Sequence, residues 1–462
     1  MYYVSKNLVI VKSQECWYAY NSVFGGLKKL TNDEIEIIQC LPGNGTECSM
    51  MHNELFNELV KCRFIENEAD TDSNKLERRL EEYRKKVETG ESISKLLLMV
   101  TGKCMLNCKY CYVPDSPEYN STSCNDDMDW DTAKKAIDVF KSIVSRNGQK
   151  KVHIRFHGGE PFLNFELIKR AVIYAEEVFN DKEIVFHTNS NGVVIDDSIA
   201  RFITTHKIHT EISMDGLKEI HDSVRNFPNG AGSFNHAINA LNLIKKYNPK
   251  LRRVNIAVTL SKANYRHLRP LVDFCKSFGI AEVEVNTLLF QHPLDILEDV
   301  KERVRCLVDL RAYGVKNDIK VSGKWFKLFE RLTDPVINYC GRMGQQIGVN
   351  SSGKVFLCTG YMHLFGEVEQ WDEIIQSKEY LDICMRTLGR IDECSGCPVQ
   401  GQCAGGCTAS VIKACGSLAM AEKKECQFRK EIVEELIRNK DIVTSKRVAV
   451  EEVDSSYYPK LL

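Results

Sequence analysis

The chain has 462 residues, enough for two or three domains, and balances 62 basic against 63 acidic side chains, which gives no electrostatic case for nucleic acid or an anionic membrane. No apolar run approaches the ~20 residues of a membrane span, and no signal peptide opens the chain. Its 19 cysteines, without a secretion signal, point to metal ligation rather than disulfides and to a cytoplasmic protein.

In chain order, residues 8–11 and 16–20 read as short strands. Thr31-Asn-Asp-Glu34 reads as a capping box opening a helix over Asn32–Cys40. A second helix is predicted over residues 52–62, and a short strand at Phe64-Ile65. Asp33, Glu34 and Glu36, with no basic stripe, argue against nucleic-acid binding by this segment. Residues 74–88 are highly charged and read as a solvated helical linker.

From about 92 to 320, apolar strands alternate with helical segments. The strands are predicted at 95–100, 151–156, 184–187, 209–213, 254–259 and 282–286. Leu167, Ile168, Ala171, Val172, Ala175 and Val178 recur at helical spacing, as do Ala237, Ile238, Leu241 and Ile244. Such alternation argues for parallel strands with right-handed crossovers, and six units suggest a partial (β/α) barrel. In barrels of this kind the chemistry sits at the C-terminal strand ends. Three motifs begin there: the run from Cys104 to Cys111, His157-Gly-Gly-Glu-Pro161, and Ser213-Met-Asp-Gly216.

Cys104, Cys108 and Cys111 put three thiols within eight residues of one loop. A loop of this spacing can wrap three corners of a [4Fe–4S] cluster, which ordinarily takes four thiolates. Three leave one iron open, as a catalytic cluster needs. A second array follows: Cys340, then Gly353 and Cys358, then Cys394, Cys397, Cys403 and Cys407, and finally Cys426. Spacing alone also admits a pair of zinc sites, since zinc takes four such ligands. A closing amphipathic helix is predicted over 428–439.

The three-cysteine loop resembles the cluster loop of the radical S-adenosylmethionine (SAM) enzymes. In that family SAM chelates the open iron and is cleaved to a 5′-deoxyadenosyl radical that abstracts a hydrogen atom. The resemblance extends residue by residue. Gly158, Gly159 and Glu160 resemble the motif that holds the SAM amino group. Ser213 and Arg225 resemble the ribose and carboxylate contacts, and Tyr110 and Leu288 the contacts to adenine. Asn189 and Asn191 resemble a Thr-Asn-Gly turn with extra residues and are not assigned. Asp215, His221 and Asp222 read as ordinary loop polarity.

The seven later cysteines resemble the SPASM pattern of peptide-modifying relatives. That pattern implies one auxiliary cluster on Cys394, Cys397, Cys403 and Cys426, and a second on Cys340, Cys358 and Cys407. Fully ligated relatives carry a further cysteine soon after the first, and residues 341–357 contain none. The favoured reading is an open iron that a substrate thiolate fills. The alternative is that Cys384 or Cys415 folds back as fourth ligand. Residues 1–90 resemble a winged-helix leader-peptide recognition domain.

The resemblance thus implies three regions: 1–90 for leader recognition, 91–320 as the barrel, and 321–462 as the SPASM domain. It implies three [4Fe–4S] clusters, SAM, a ribosomally made precursor peptide, and a reductant such as flavodoxin or ferredoxin, with no nucleic-acid or membrane partner. The implied reaction is thioether formation, as in sactipeptide and ranthipeptide synthases. Carbon–carbon crosslinking, epimerisation and sulfatase maturation are alternatives. For the last, the family's Asp after the cysteine matching Cys358 is here Thr359. A non-catalytic iron–sulfur protein is the alternative of a different class.

Overall fold

The computed structural model describes residues 2–13, 16–41, 53–68, 71–112, 126–288 and 299–444. All six predicted central strands form: β6 (Lys95–Thr101), β7 (Lys151–Gly158), β8 (Glu183–Ser190), β9 (His209–Ser213), β10 (Val254–Leu260) and β11 (Glu282–Thr287). β1 to β5, in the N-terminal part, are Tyr2–Val4, Leu8–Lys12, Trp17–Asn21, Gly25–Leu30 and Ile65–Asn67. Each central strand pairs in parallel with its sequence neighbour. Two further parallel strands extend the edges: β12 (Lys320–Ser322) on β11, and β13 (Gln346–Val349) on β6. β14 (Val355–Phe356) then adds antiparallel to β13. Among the described residues, the sheet order β12-β11-β10-β9-β8-β7-β6-β13-β14 leaves its two ends unpaired, so the barrel is partial.

Strand alternation explains the two faces of the sheet. On β7, Val152, Ile154 and Phe156 are buried in the main core. The alternate residues Arg155 and His157 line an interior cavity. Helices cover the outer face. Helix Phe165–Val178 buries Leu167, Ile168, Ala171, Val172 and Ala175, and helix Phe234–Tyr247 buries Ala237, Ala240, Leu241 and Ile244. These are the predicted stripes, except that Val178 and Ile238 are only partly buried and Ala240 joins them.

The N-terminal part folds as the antiparallel sheet β2-β3-β4, the pair β1–β5 and two helices. Helix Asn32–Cys40 opens on the predicted capping box, with Thr31 and Glu34 bonding each other's backbone. The second helix spans Glu54–Lys61, and residue 52 of the prediction lies outside the described residues. Ile37, Phe56, Leu59, Phe64 and Ile65 give this part its own small core.

The solvated-linker expectation for 74–88 is incorrect. Helix Asp72–Glu88 buries Leu80, Tyr83 and Val87, and the Tyr83 hydroxyl lies 3.2 Å from the Met343 carbonyl. Its Asp72 carboxylate accepts from Ser5, Asn7, Asn21 and Arg63, which ties the helix to the N-terminal sheet. High charge masked three core positions one helical face apart. At the other end, helix Lys423–Arg438 starts before the predicted boundary at 428, so Cys426 lies inside it with Arg429. No helix among the described residues is long and apolar enough to cross a membrane.

Candidate active site

The three-cysteine loop leaves β6 at Thr101 and is held from two sides. On one side, Gly159 and Glu160 donate their backbone N–H groups to the Thr101 and Lys103 carbonyls at 3.0 and 2.8 Å. The glycines are needed for this approach. A Cβ on Gly158 would stand 2.0 Å from the Thr101 oxygen, and one on Gly159 would stand 2.3 Å from the Lys103 oxygen. What these glycines approach is therefore the cysteine loop's own backbone. On the other side, Asn107 and Lys109 donate to the Asn226 and Val224 carbonyls at 2.7 and 2.9 Å.

Cys104 is exposed, while Cys108 and Cys111 are half-buried. Asn191 Nδ2 lies 3.6 Å from Cys104 Sγ, and Arg225 Nη1 lies 3.9 Å from Cys108 Sγ. Burial pushes the Cys108 thiol up to about 11, with Arg225 pulling it down. A thiol in that state becomes a thiolate when a metal binds it. Three soft donors on one constrained loop, two of them facing N–H groups, fit an iron–sulfur cluster.

The loop forms one wall of a cavity of about 800 Å³. That volume lies within the usual range for sites taking a cofactor-sized ligand. Tyr110, Gly158, Gly159, Glu160, Ser213, Arg225 and Leu288 all line it. The structure thus brings together every predicted SAM-contact residue. Tyr110, Leu288 and Val224 form a small apolar cluster at one end. Glu160 is buried; its carboxylate accepts from Ser190 Oγ and the Asn191 N–H, each at 2.8 Å. Burial pushes this carboxyl up to about 7 against the pull of those bonds.

Asp215, read from sequence as loop polarity, is the buried anchor of this wall. It accepts from Arg225 Nε at 2.9 Å, from the Thr259 N–H at 2.8 Å and from the Tyr110 hydroxyl. His221 supports the same turn, its Nε2 lying 2.9 Å from Ser233 Oγ. Asp222 accepts from the Phe234 N–H at 2.8 Å. Deeper in the cavity, Arg155 bonds Asn189 at 2.6 Å, and Asn189 bonds Glu211. Burial, with Glu284 adding repulsion, pushes Glu211 up to about 7. Arg155 and Glu211 were missed and Asn189 was left unassigned, although polar residues at alternate strand positions carried the signal. His187 and Asn189 on β8, and Glu211 and Ser213 on β9, share the face that lines the cavity.

The seven later cysteines separate into two neighbourhoods. Burial raises Cys394, and the nearby Cys403, Cys426 and Cys397 raise it further. Burial likewise raises Cys358, which has Cys407 and Cys340 as its thiol neighbours. Cys407 and Thr359 line the same cavity as Cys104, Cys108 and Cys111. Cys384 is fully buried and lies within electrostatic reach of Cys340, whereas Cys415 Sγ faces the Ala421 carbonyl at 3.9 Å. Among the described residues no three His, Cys, Asp or Glu side chains converge as the ligands of a single metal ion do.

Residues 98–275, which run from β6 through the helix Arg269–Phe278, match the radical SAM superfamily. This segment is a radical SAM domain. The chain is 24% identical to the radical SAM cyclopropyl synthase TigE of Paramaledivibacter caminithermalis, over 94% of this chain and 95% of that protein. It is 26% identical to a cysteine-type anaerobic sulfatase-maturating enzyme of Clostridium perfringens, over 68% of this chain and 88% of that one. Among solved structures it is similar to anSMEcpe with bound AdoMet, at a TM-score of 0.63 and 22% identity, covering 75% of this chain and 97% of that one. It is also similar to Streptococcus suis SuiB bound to its precursor peptide SuiA, at a TM-score of 0.55 and 16% identity, covering 92% and 100%. These last two likenesses establish the radical SAM fold.

Proposed function

We propose that this radical SAM enzyme matures a ribosomally made peptide by closing a new bond on a carbon from which hydrogen has been abstracted. The observation that carries this reading is the shared cavity. Cys407 and Thr359, from the later cysteine array, face the same space as the loop Cys104–Cys108–Cys111 and the SAM-contact residues. A substrate seated there would meet both sets of groups. When bound, the loop cluster and SAM supply the hydrogen-abstracting radical. Tyr110, Leu288, Ser213 and Arg225 would orient SAM, with Glu160 at its amino end.

On this reading Cys394, Cys397, Cys403 and Cys426 hold one auxiliary cluster and Cys340, Cys358 and Cys407 hold another. Residues 1–90 recognise the leader by adding its strand to a sheet edge, residues 91–320 form the barrel, and residues 321–462 carry the auxiliary clusters. Similarity to TigE and SuiB spans 94% and 92% of the chain, whereas the sulfatase-maturating relative spans 68%. That difference, and Thr359 in place of an acidic residue, favour a peptide maturase over a sulfatase maturase.

Two bond types remain in play, each with its own observation. Thioether formation rests on three thiols at Cys340, Cys358 and Cys407, with a substrate cysteine as the fourth. Cyclopropane formation rests on the near full-length similarity to TigE. Cys384, within reach of Cys340, weighs on the choice, because a fourth protein thiolate leaves no iron for substrate sulfur.

The test is anaerobic turnover of the precursor peptide with SAM and a reductant, read by mass spectrometry before and after thiol alkylation. Loss of two hydrogens together with loss of an alkylatable cysteine supports the thioether. Loss of two hydrogens with every cysteine still alkylated supports the cyclopropane. An unmodified peptide from an enzyme that still cleaves SAM refutes the maturase reading for that peptide.

A further inference from the structure

Three buried arginines lie beside the later cysteine array. Arg303, Arg386 and Arg429 are 0%, 4% and 3% exposed. Among the described residues, one carboxylate serves two of them: Glu425 accepts from Arg303 Nη1 at 2.9 Å and from Arg429 Nη2 at 3.2 Å. Arg386 bonds the carbonyls of Gly405, Gly406, Leu418 and Met420 and, among the described residues, no carboxylate. Buried charge without a counter-charge is strongly unfavourable. The fold therefore holds an excess of positive charge that calls for an anion.

Arg429 is the member of the three that reaches both thiol neighbourhoods with donor capacity to spare. Its Nη1 has no hydrogen-bond partner among the described residues, and the side chain borders the active-site cavity. It sits one turn beyond Cys426 on the helix Lys423–Arg438. Nη1 also presses on Gly406, next to Cys407, where an added Cβ would stand 2.4 Å away. Cys397, Cys403 and Cys426 lie within its electrostatic reach on one side, and Cys407 on the other.

We propose that Arg429 is the counter-ion shared by the two groups of thiolates, and that it raises the reduction potential of the clusters they hold. The inference rests on the proposed iron–sulfur assignment of these seven cysteines. A cluster becomes more negative when reduced, and a fixed buried cation favours the more negative state. Net charge and neighbouring donors are among the levers that set cluster potentials. A raised potential suits centres that accept an electron from substrate over centres that donate one. Arg429 acts here as a positioning residue, through the cluster and not on the peptide.

The test is a redox titration followed by electron paramagnetic resonance, with iron counted in the same samples. The background carries Cys104→Ala, Cys108→Ala and Cys111→Ala, so that only auxiliary signals remain. Arg429→Gln should keep the iron and shift an auxiliary midpoint to more negative potential, and Arg429→Lys should recover part of the shift. Glu425→Gln, which removes the carboxylate that offsets Arg429, should shift it the opposite way. A midpoint unmoved in iron-replete Arg429→Gln overturns the proposal. If Arg429→Gln fails to retain iron, Glu425→Gln decides: a positive shift supports the proposal and an unmoved midpoint overturns it. Absence of any auxiliary iron in the parent would instead refute the cluster assignment itself.

Discussion

Asp215 fixes Arg225 and Tyr110 with one fully buried carboxylate. Removing one partner of a buried, hydrogen-bonded ion pair typically costs about 3–5 kcal/mol, because the other charge is left uncompensated. Asp215→Ala should therefore lower the thermal midpoint clearly, and Asp215→Asn, which keeps the shape, by less. Both should depress 5′-deoxyadenosine formation, since Arg225 and Tyr110 lose their fixed orientation in the cavity. Unchanged SAM cleavage in a folded Asp215→Ala variant would show that the anchor is dispensable. The sequence could not rank this residue, because an Asp before a Gly reads as a turn. Only the fold shows that strand β9 delivers it between two loops.

At the scale of elements, the parallel strands were legible because apolar residues recur in them, as a run in β6 or at alternate positions in β7 and β11, and helices of clear periodicity lie between them. β12 and β13 were not, being three and four residues long, too short to show a period. β13 also lies between Cys340 and Cys358, where ligand spacing drew attention away from its buried Gln346–Val349 run. The cysteine loop shows how elements depend on one another. Its position relies on two glycines at the end of a different strand, β7: Gly158, its last residue, and Gly159. Gly159→Ala would force its Cβ against the Lys103 carbonyl, and overpacking of that kind costs about 1–3 kcal/mol. If the proposed three clusters are present, the predicted outcome is loss of roughly a third of about twelve irons, with the auxiliary signals retained. Iron analysis of the anaerobically reconstituted variant checks it, and full retention of the loop cluster with normal SAM cleavage would contradict it.

Across the whole molecule, N- and C-terminal parts are joined by side-chain hydrogen bonds. Gln400, inside the later cysteine array, bonds Asn7 and Ser22 at 3.1 Å, and Tyr83 reaches the Met343 carbonyl. This docking was not legible in the sequence, because no local pattern records which distant backbone groups a Gln or a Tyr will find. It sets the small N-terminal sheet against the array that borders the cavity, so a leader bound there as proposed would have a physical route to that cavity. The central claim is that hydrogen is taken from a peptide held in that cavity. Its most direct measurement uses a precursor peptide deuterated at carbon, incubated anaerobically with the enzyme, SAM and reductant. Deuterium recovered in 5′-deoxyadenosine, together with a peptide that has lost it, is the predicted result. Full SAM cleavage giving unlabelled 5′-deoxyadenosine and an unchanged peptide would contradict the account.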